Sequence, residues 1–324
     1  MKLNMKSCLL AVACLMVVAT GAYAEDYPAR AIKIFVGYAP GGAPDTVARI
    51  VGQRMSQVLK QSLIVENRPG AGGTLAAAQT SKAAPDGYTL SVADVGEMGI
   101  APHVYKELPY DTIKDFTPIG LAVLAPVVIV ANAKTTSIKT LADLIRQAKA
   151  KPGSLNYGSS GIGTIHHLSM EMFKSDAGIE VTHVPYKGAG QSVPALLGGQ
   201  VELLMSGFTA AAPHAKSGQV NLIAVTSGKR FAGAADVPSI SEFYKGFDYA
   251  SEIGFLAPPG LSPEIVTKLS AALKTALDDP EIQEKLKMVG LIPNWLSPKD
   301  YAESLRQNLN KYKRAVEVAR VPPQ

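Results

Sequence analysis

Three times along this chain an apolar, β-branched run gives way through a glycine-rich loop to residues spaced for a helix. The loops are Pro40-Gly41-Gly42, Pro69-Gly70-Ala71-Gly72-Gly73 and Ser159-Ser160-Gly161-Ile162-Gly163-Thr164. A repeated strand, loop and helix predicts an α/β fold built on parallel pairing. Before the first loop, Ile32 to Tyr38 reads as a strand. After it, Val47, Ile50, Val51, Met55, Val58 and Leu59 recur at helical spacing. Leu63 to Val65, the second loop and Thr74 to Ala84 form another unit, and Tyr88 to Ala93 begins a third strand. Further strands read at Val127 to Ala131, Leu155 to Gly158, Val181 to Tyr186, Val201 to Met205 and Leu222 to Thr226, with helical segments among them.

The first residues place Lys2 and Lys6 before an apolar stretch, Leu9 to Ala19, and then Ala22-Tyr23-Ala24. That order predicts a signal peptide over 1–24, cleaved after Ala24, and export. Lipidation at Cys14 is the competing reading, but Leu15 to Val18 continue the apolar run where a tether would be polar. Both cysteines, Cys8 and Cys14, fall in this segment, so the exported part has no thiol and must be stabilised by its core. Losing Lys2 and Lys6 lowers the formal charge of +5 by two. The remaining basic residues are dispersed and not interleaved with aromatics, which argues against nucleic acid. No later apolar run reaches the roughly 20 residues that span a bilayer.

The exported part exceeds the usual size of a single core, which predicts two lobes. No Pro/Gly/Ser linker divides the chain, so strands are expected to cross between lobes, near Leu121 to Ala125 outward and Ile253 to Ala257 in return. The predicted division is 25–122 with 253–324 for lobe 1 and 123–252 for lobe 2. Each lobe is expected to hold a mainly parallel sheet flanked by helices, with the last helices, near Pro280 to Met288 and Pro298 to Val318, packed on the first.

In open α/β sheets, ligands sit at the carboxyl ends of the strands, where these glycine loops lie. Glycine lets backbone N–H groups approach an anion, and a following helix turns its unpaired N–H groups to the same point. The bland alternative is that each glycine merely permits a tight turn. Neither G-x-G-x-x-G nor G-x-x-x-x-G-K-[ST] occurs, so nucleotide phosphate is not the expected anion. In the third loop Ser159, Ser160 and Thr164 add hydroxyl donors, and one of them is expected to cap the next helix. Asp45, behind Pro44 in a first helical turn, suits either the helix dipole or a ligand hydroxyl or ammonium.

Catalytic patterns are missing. There is no G-x-S-x-G elbow and no H-E-x-x-H, and His103, His183 and His214 are scattered. His166 and His167 adjoin and point to different faces of one helix; each histidine is read as structural. Asp94 and Glu97, after the third strand, read as solvated loop charges or as paired carboxylates in a cleft. Beside an anion site they favour a ligand that also carries an amine or hydroxyls. Neither catalytic residue, metal nor cofactor is expected.

Taken in order, Tyr38-Ala39-Pro40-Gly41-Gly42-Ala43-Pro44-Asp45, Glu66-Asn67-Arg68-Pro69-Gly70-Ala71-Gly72-Gly73, Leu108-Pro109-Tyr110-Asp111, Gly161-Ile162-Gly163-Thr164 and His183-Val184-Pro185-Tyr186-Lys187-Gly188 resemble the substrate-binding proteins of tripartite tricarboxylate transporters, the Bug family. The likeness continues through Leu197-Gly198-Gly199-Gln200-Val201 and Leu256-Ala257-Pro258. It implies a periplasmic two-lobed "Venus flytrap" of type II-like form, holding carboxylates largely through backbone amides and water. Carried over by position, Tyr38, Pro40, Gly41 and Gly42 would close on the ligand from one lobe and Ser159, Ser160, Gly161, Gly163 and Thr164 from the other. Gly72 and Gly73 would lie nearby, Asp45 matches an acidic position, and Phe208 and Thr209 would line the cleft; Asp94 is expected at the ligand from its place after the third strand, not from the resemblance. Ala43-Pro44 and the acidic Asp94-Val95-Gly96-Glu97 depart from the pattern, which leaves the ligand's distal end open.

The expected function is capture of a small mono- or dicarboxylate by a monomer that delivers it to the permease subunits of a tripartite transporter. Presentation of the ligand to a two-component sensor kinase is the alternative. A cleft enzyme using Asp94 or Glu97 as general base is a third reading.

Overall fold

The computed structural model describes residues 27–324. The expected signal segment and its two cysteines lie outside them.

The first unit forms as its pattern predicts. Strand β1 (Ile32–Val36) buries Ile32, Ile34 and Val36. Helix α1 (Ala43–Leu59) then turns Val47, Val51, Met55 and Leu59 onto the same core, about 1.5–3 kcal/mol for each large side chain removed from water. Strand β2 (Leu63–Asn67), helix α2 (Thr74–Ser81) and strand β3 (Thr89–Asp94) follow. A wide helical turn, Gly96–Ile100, runs into the short helix α3 (Ala101–Val104).

Strand β4 (Thr117–Ala125) belongs to the first sheet and β5 (Val127–Asn132) to the second, with Pro126 alone between them. Proline has no N–H to give a ladder, so pairing breaks there and the chain changes sheet. The second sheet adds α4 (Leu141–Ala150), β6 (Asn156–Ser159), α5 (Ile165–Ala177), β7 (Thr182–Pro185), α6 (Ala189–Leu197), β8 (Leu203–Gly207), α7 (Phe208–Lys216) and β9 (Val220–Val225). Strand β10 (Ser251–Ala257) returns to the first sheet, followed by α8 (Pro263–Asp278), α9 (Pro280–Met288), β11 (Ile292–Leu296) and α10 (Pro298–Val318).

The result is a two-lobed α/β fold. The first sheet has the order β11-β4-β10-β3-β1-β2 and the second β7-β6-β8-β5-β9. Both are mixed, where the sequence predicts mainly parallel sheets. β1 pairs in parallel with β2 and β3, and β6 with β7 and β8, but among the described residues every strand partner of β4, β5, β9 and β10 is antiparallel, a lone parallel bridge from Val225 to Ser239 aside. These are the strands that carry the chain between sheets, and their direction is set by the exit and return rather than by a helix crossover.

Helix α10 departs from expectation too. It begins against β4, yet Tyr312, Ala315 and Val316 in its last turns share a core with Leu168 and Phe173 of α5. Among the described residues, no helix is long and apolar enough to cross a membrane.

Candidate functional site

A cavity of about 210 Å³ lies where the two sheets face each other. From the first sheet it receives Tyr38, just beyond β1, Gly72 of the second glycine loop, and Asp94 and Gly96 at the end of β3. From the second it receives Ser160, Gly163, Thr164 and the first turn of α5, Ile165 and His166.

The two walls differ in chemistry. On the second-sheet wall Thr164 is the N-cap of α5, its Oγ1 accepting from His167 N–H at 3.4 Å. The N–H groups of Ile165 and His166 have no carbonyl one turn back, and the helix adds partial positive charge at this end. Ser160 Oγ lies 2.6 Å from His166 Nδ1. Burial lowers His166 to about 4, so the ring is neutral at neutral pH. Behind the loop, Ser159 Oγ lies 2.7 Å from His183 Nε2, and the His183 and His167 rings stack at 4.1 Å. Burial, then the neighbouring His167, takes His183 down to about 3. This neutral stack fixes the loop from below, with Gly163 N–H donating to His167 Nδ1 at 3.2 Å.

The first-sheet wall carries an acceptor. Asp94 Oδ1 accepts from Tyr38 Oη at 2.8 Å and from Gly96 N–H at 2.7 Å. Burial raises this carboxyl above its ordinary range, against the opposing pull of those bonds. Glu97 lies deeper and does not line the cavity. It is 1 % exposed, its Oε2 accepts from Asp94 N–H at 2.9 Å, and burial followed by the Asp94 charge raises its pKa well above the usual carboxylate range. Solvated loop charges are therefore not what Asp94 and Glu97 are, and only Asp94 meets the cavity. Among the described residues, no lysine or arginine lines it.

The structure thus brings together Tyr38, Gly72, Asp94, Ser160, Gly163 and Thr164 of the expected residues. Ser159 and Gly161 support them from the same loop: Ser159 is wholly buried under His183, and Gly161 O accepts from Thr164 Oγ1 at 2.8 Å. Other expected residues lie elsewhere. Pro40 and Gly41 are exposed at the surface, and neither they nor Gly42 line the cavity. Asp45 is buried among Gly41 N–H, Arg49 and Asn67, at 2.8 to 3.1 Å, with both carboxylate oxygens engaged. It holds the first loop to α1 and β2 rather than facing a ligand. Gly73 is glycine for a different reason than expected: a Cβ there would collide with the Glu97 carboxyl. Phe208 and Thr209 line a separate hollow with Lys216, Met288 and Gly290. The Phe208 ring turns into the core against Phe231, centroids 4.7 Å apart, because an apolar ring at a helix start gains most by burial.

His166 reads as structural in the sequence, yet it lines the cavity. Its signal is position: two residues past the capping Thr164, where a side chain and its own N–H both belong to the open first turn. Ser160 and His166 have the look of a nucleophile and its base, but His166 has no carboxylate to orient it among its hydrogen bonds, and a neutral ring of such low basicity is a poor proton acceptor.

The family described as "Tripartite tricarboxylate transporter family receptor" matches residues 47–320. A Cupriavidus necator protein described as a "UPF0065 protein in gbd 5'region" is 37% identical over 303 residues, 91% of this chain and 89% of its own length. Protein BugT of Bordetella pertussis is 32% identical, covering 85% of each chain. Among solved structures, an R. palustris protein with adipate superposes with TM-score 0.83 at 32% identity, covering 92% of this chain and all of that one. MatC from Rhodopseudomonas palustris with bound malate gives TM-score 0.76 at 31% identity, over 90% of this chain and 100% of that one.

Proposed function

This chain belongs to the tripartite tricarboxylate transporter receptor family, the Bug proteins, and from that premise we propose that it captures a small carboxylate in the cavity between its lobes and delivers it to the membrane permease of a tripartite transporter. Its place in this reading is the periplasm, reached through the N-terminal segment ending at Ala24. The observation that carries the proposal is the wall formed by the Ser160–His166 pair and the first turn of α5: the open N–H groups of Ile165 and His166, and the one donor that the pair keeps free, border a cavity of small-molecule size. Charge-assisted hydrogen bonds to such donors are the strong ones, and a helix N-terminus needs no cationic side chain to hold an anion. The adipate and malate found with the R. palustris structures support the same class of ligand. Contacts to both walls are complete only when the lobes are together, so a ligand would favour the closed state by its differential affinity.

Thermal unfolding of the exported chain, residues 25–324, stripped of co-purified ligand, tests this against aliphatic, aromatic, amino and hydroxy carboxylates and their uncharged amides. A ligand at about 100 times its Kd adds roughly 2.7 kcal/mol, which moves Tm by several degrees. A shift with an acid and none with its amide is the expected result. No shift with any acid, adipate and malate included, overturns carboxylate capture.

A further inference from the structure

The cavity is chemically one-sided, and the sides differ in a way that bears on the ligand's second end. The second-sheet wall offers donors: the Ser160–His166 pair, which keeps one proton to donate after the bond between them, and the open N–H groups of α5. The first-sheet wall offers Asp94, among the described residues the one acidic side chain that lines the cavity, held in place by Tyr38 and Gly96. Between them Ile100, Val104, Ile162 and Ile165 supply apolar surface. No lysine or arginine among the described residues lines the space.

A carboxylate placed on the α5 wall meets donors and the positive end of a helix dipole. A second carboxylate at the other end would meet Asp94 with no cation to offset either charge, and two like charges desolvated together are costly. A hydroxyl or ammonium there instead donates to Asp94, making a charge-assisted hydrogen bond. Resting on the carboxylate reading above, we propose that the ligand is a small monocarboxylate whose other end bears a hydrogen-bond donor, hydroxyl or ammonium, and that Asp94 is the residue that selects it. Tyr38 is the positioning residue: its phenol fixes the rotamer of Asp94 across the mouth of the second glycine loop, where it also lies 3.3 Å from Gly72 O.

The test is calorimetric titration of the exported chain with four acids of one chain length: butanoate, 4-hydroxybutanoate, 4-aminobutanoate and succinate, with the 2- and 3-substituted isomers as further arms. The expected result is that at least one donor-bearing acid binds about tenfold or more tighter than both butanoate and succinate, the scale of one hydrogen bond to a charged group. The hydroxy and amino arms tell the two donors apart. In Asp94→Asn, checked for unchanged unfolding without ligand, the advantage of the donor-bearing acid falls about tenfold while succinate gains. Succinate or butanoate binding as tightly as the best donor-bearing acid overturns the role of Asp94 and leaves carboxylate capture standing. If the substituted protein does not fold, the ranking in the unsubstituted protein decides alone. Failure of every acid, adipate and malate included, overturns carboxylate capture and this inference with it.

Discussion

The first and third glycine loops look alike in sequence and are placed differently. Both follow a strand and precede a helix. The third, Ser159 to Thr164, presents backbone and hydroxyls to the cavity, with Gly163 at φ 75° and α5 opening directly behind it. The first, Pro40 to Gly42, stands off the cavity, and its Gly41 N–H is taken by the protein's own carboxylate, Asp45, from the first turn of α1. A glycine loop before a helix is therefore an offer of donors, and what accepts them depends on whether an internal acid arrives first. In the third loop the corresponding internal acceptor is an imidazole, His167, which takes Gly163 N–H, and among the described residues no internal carboxylate takes the N–H groups of Ile165 and His166.

The sharpest way to break this contrast is Gly163→Val. The positive φ is strained for any β-branched residue, and a Cβ would already sit 3.5 Å from Val104 across the lobe boundary and 3.6 Å from Val321. Strain of about 1–3 kcal/mol is expected as a Tm lowered by several degrees, and displacement of the loop should remove about 100-fold in affinity. The measurements are unfolding without ligand and the ligand-dependent Tm shift. A normal shift in this variant would take the third loop out of the site.

These particulars show where sequence was enough. The strand and helix patterns around Ile32 to Leu59 and Leu155 to Ala177 could be read because each is a local periodicity buried on one face. The antiparallel crossing strands could not, since β4 and β10 carry no local mark of direction; only the return of the chain sets it. That Ser160, Gly163, Thr164 and Asp94 would meet at one cavity was legible from their place after strands. The burial of Glu97 was not, because the space for it is made by Gly37 and Gly73, glycines 60 and 24 residues earlier in the chain, where any Cβ would strike its carboxyl. Nor was the inward turn of Phe208, decided by Phe231 and Gly290 on other segments.

Asp45→Asn probes the first loop with a smaller effect. Burial works against the ionised Asp45, but bonds from Arg49, Gly41 N–H and Asn67 outweigh it and hold the carboxyl below its usual range. Its charge therefore contributes stability that is present above the unfolded value near 4 and is lost as pH falls through the lower folded value. Arg49 is half-exposed, so the ion pair is discounted and about 1–2 kcal/mol is expected, mostly from the hydrogen bonds. Denaturant titrations should show that gap between pH 5 and 8 and its closure as pH drops below about 4. A gap that persists undiminished in acid would mean that the carboxylate charge is not what holds the loop.

Gly42→Ala should do least of all, and its smallness separates the two loops. Gly42 has φ −70° and ψ 165°, an extended conformation open to any residue, and the nearest atom to an added Cβ is Ala39 O at 3.6 Å, ordinary contact. Alanine is a poorer N-cap than glycine, but it also restricts the unfolded chain by about 0.4–1 kcal/mol, and these changes oppose each other. Stability should stay within about 0.5 kcal/mol, the range of substitutions that disturb no special feature. Ligand affinity should not change, because the residue does not line the cavity. Were Gly42→Ala to weaken binding as Gly163→Val does, the first loop would have to reach the ligand after all, and Asp45 would be holding it ready for that contact instead of standing in for the anion.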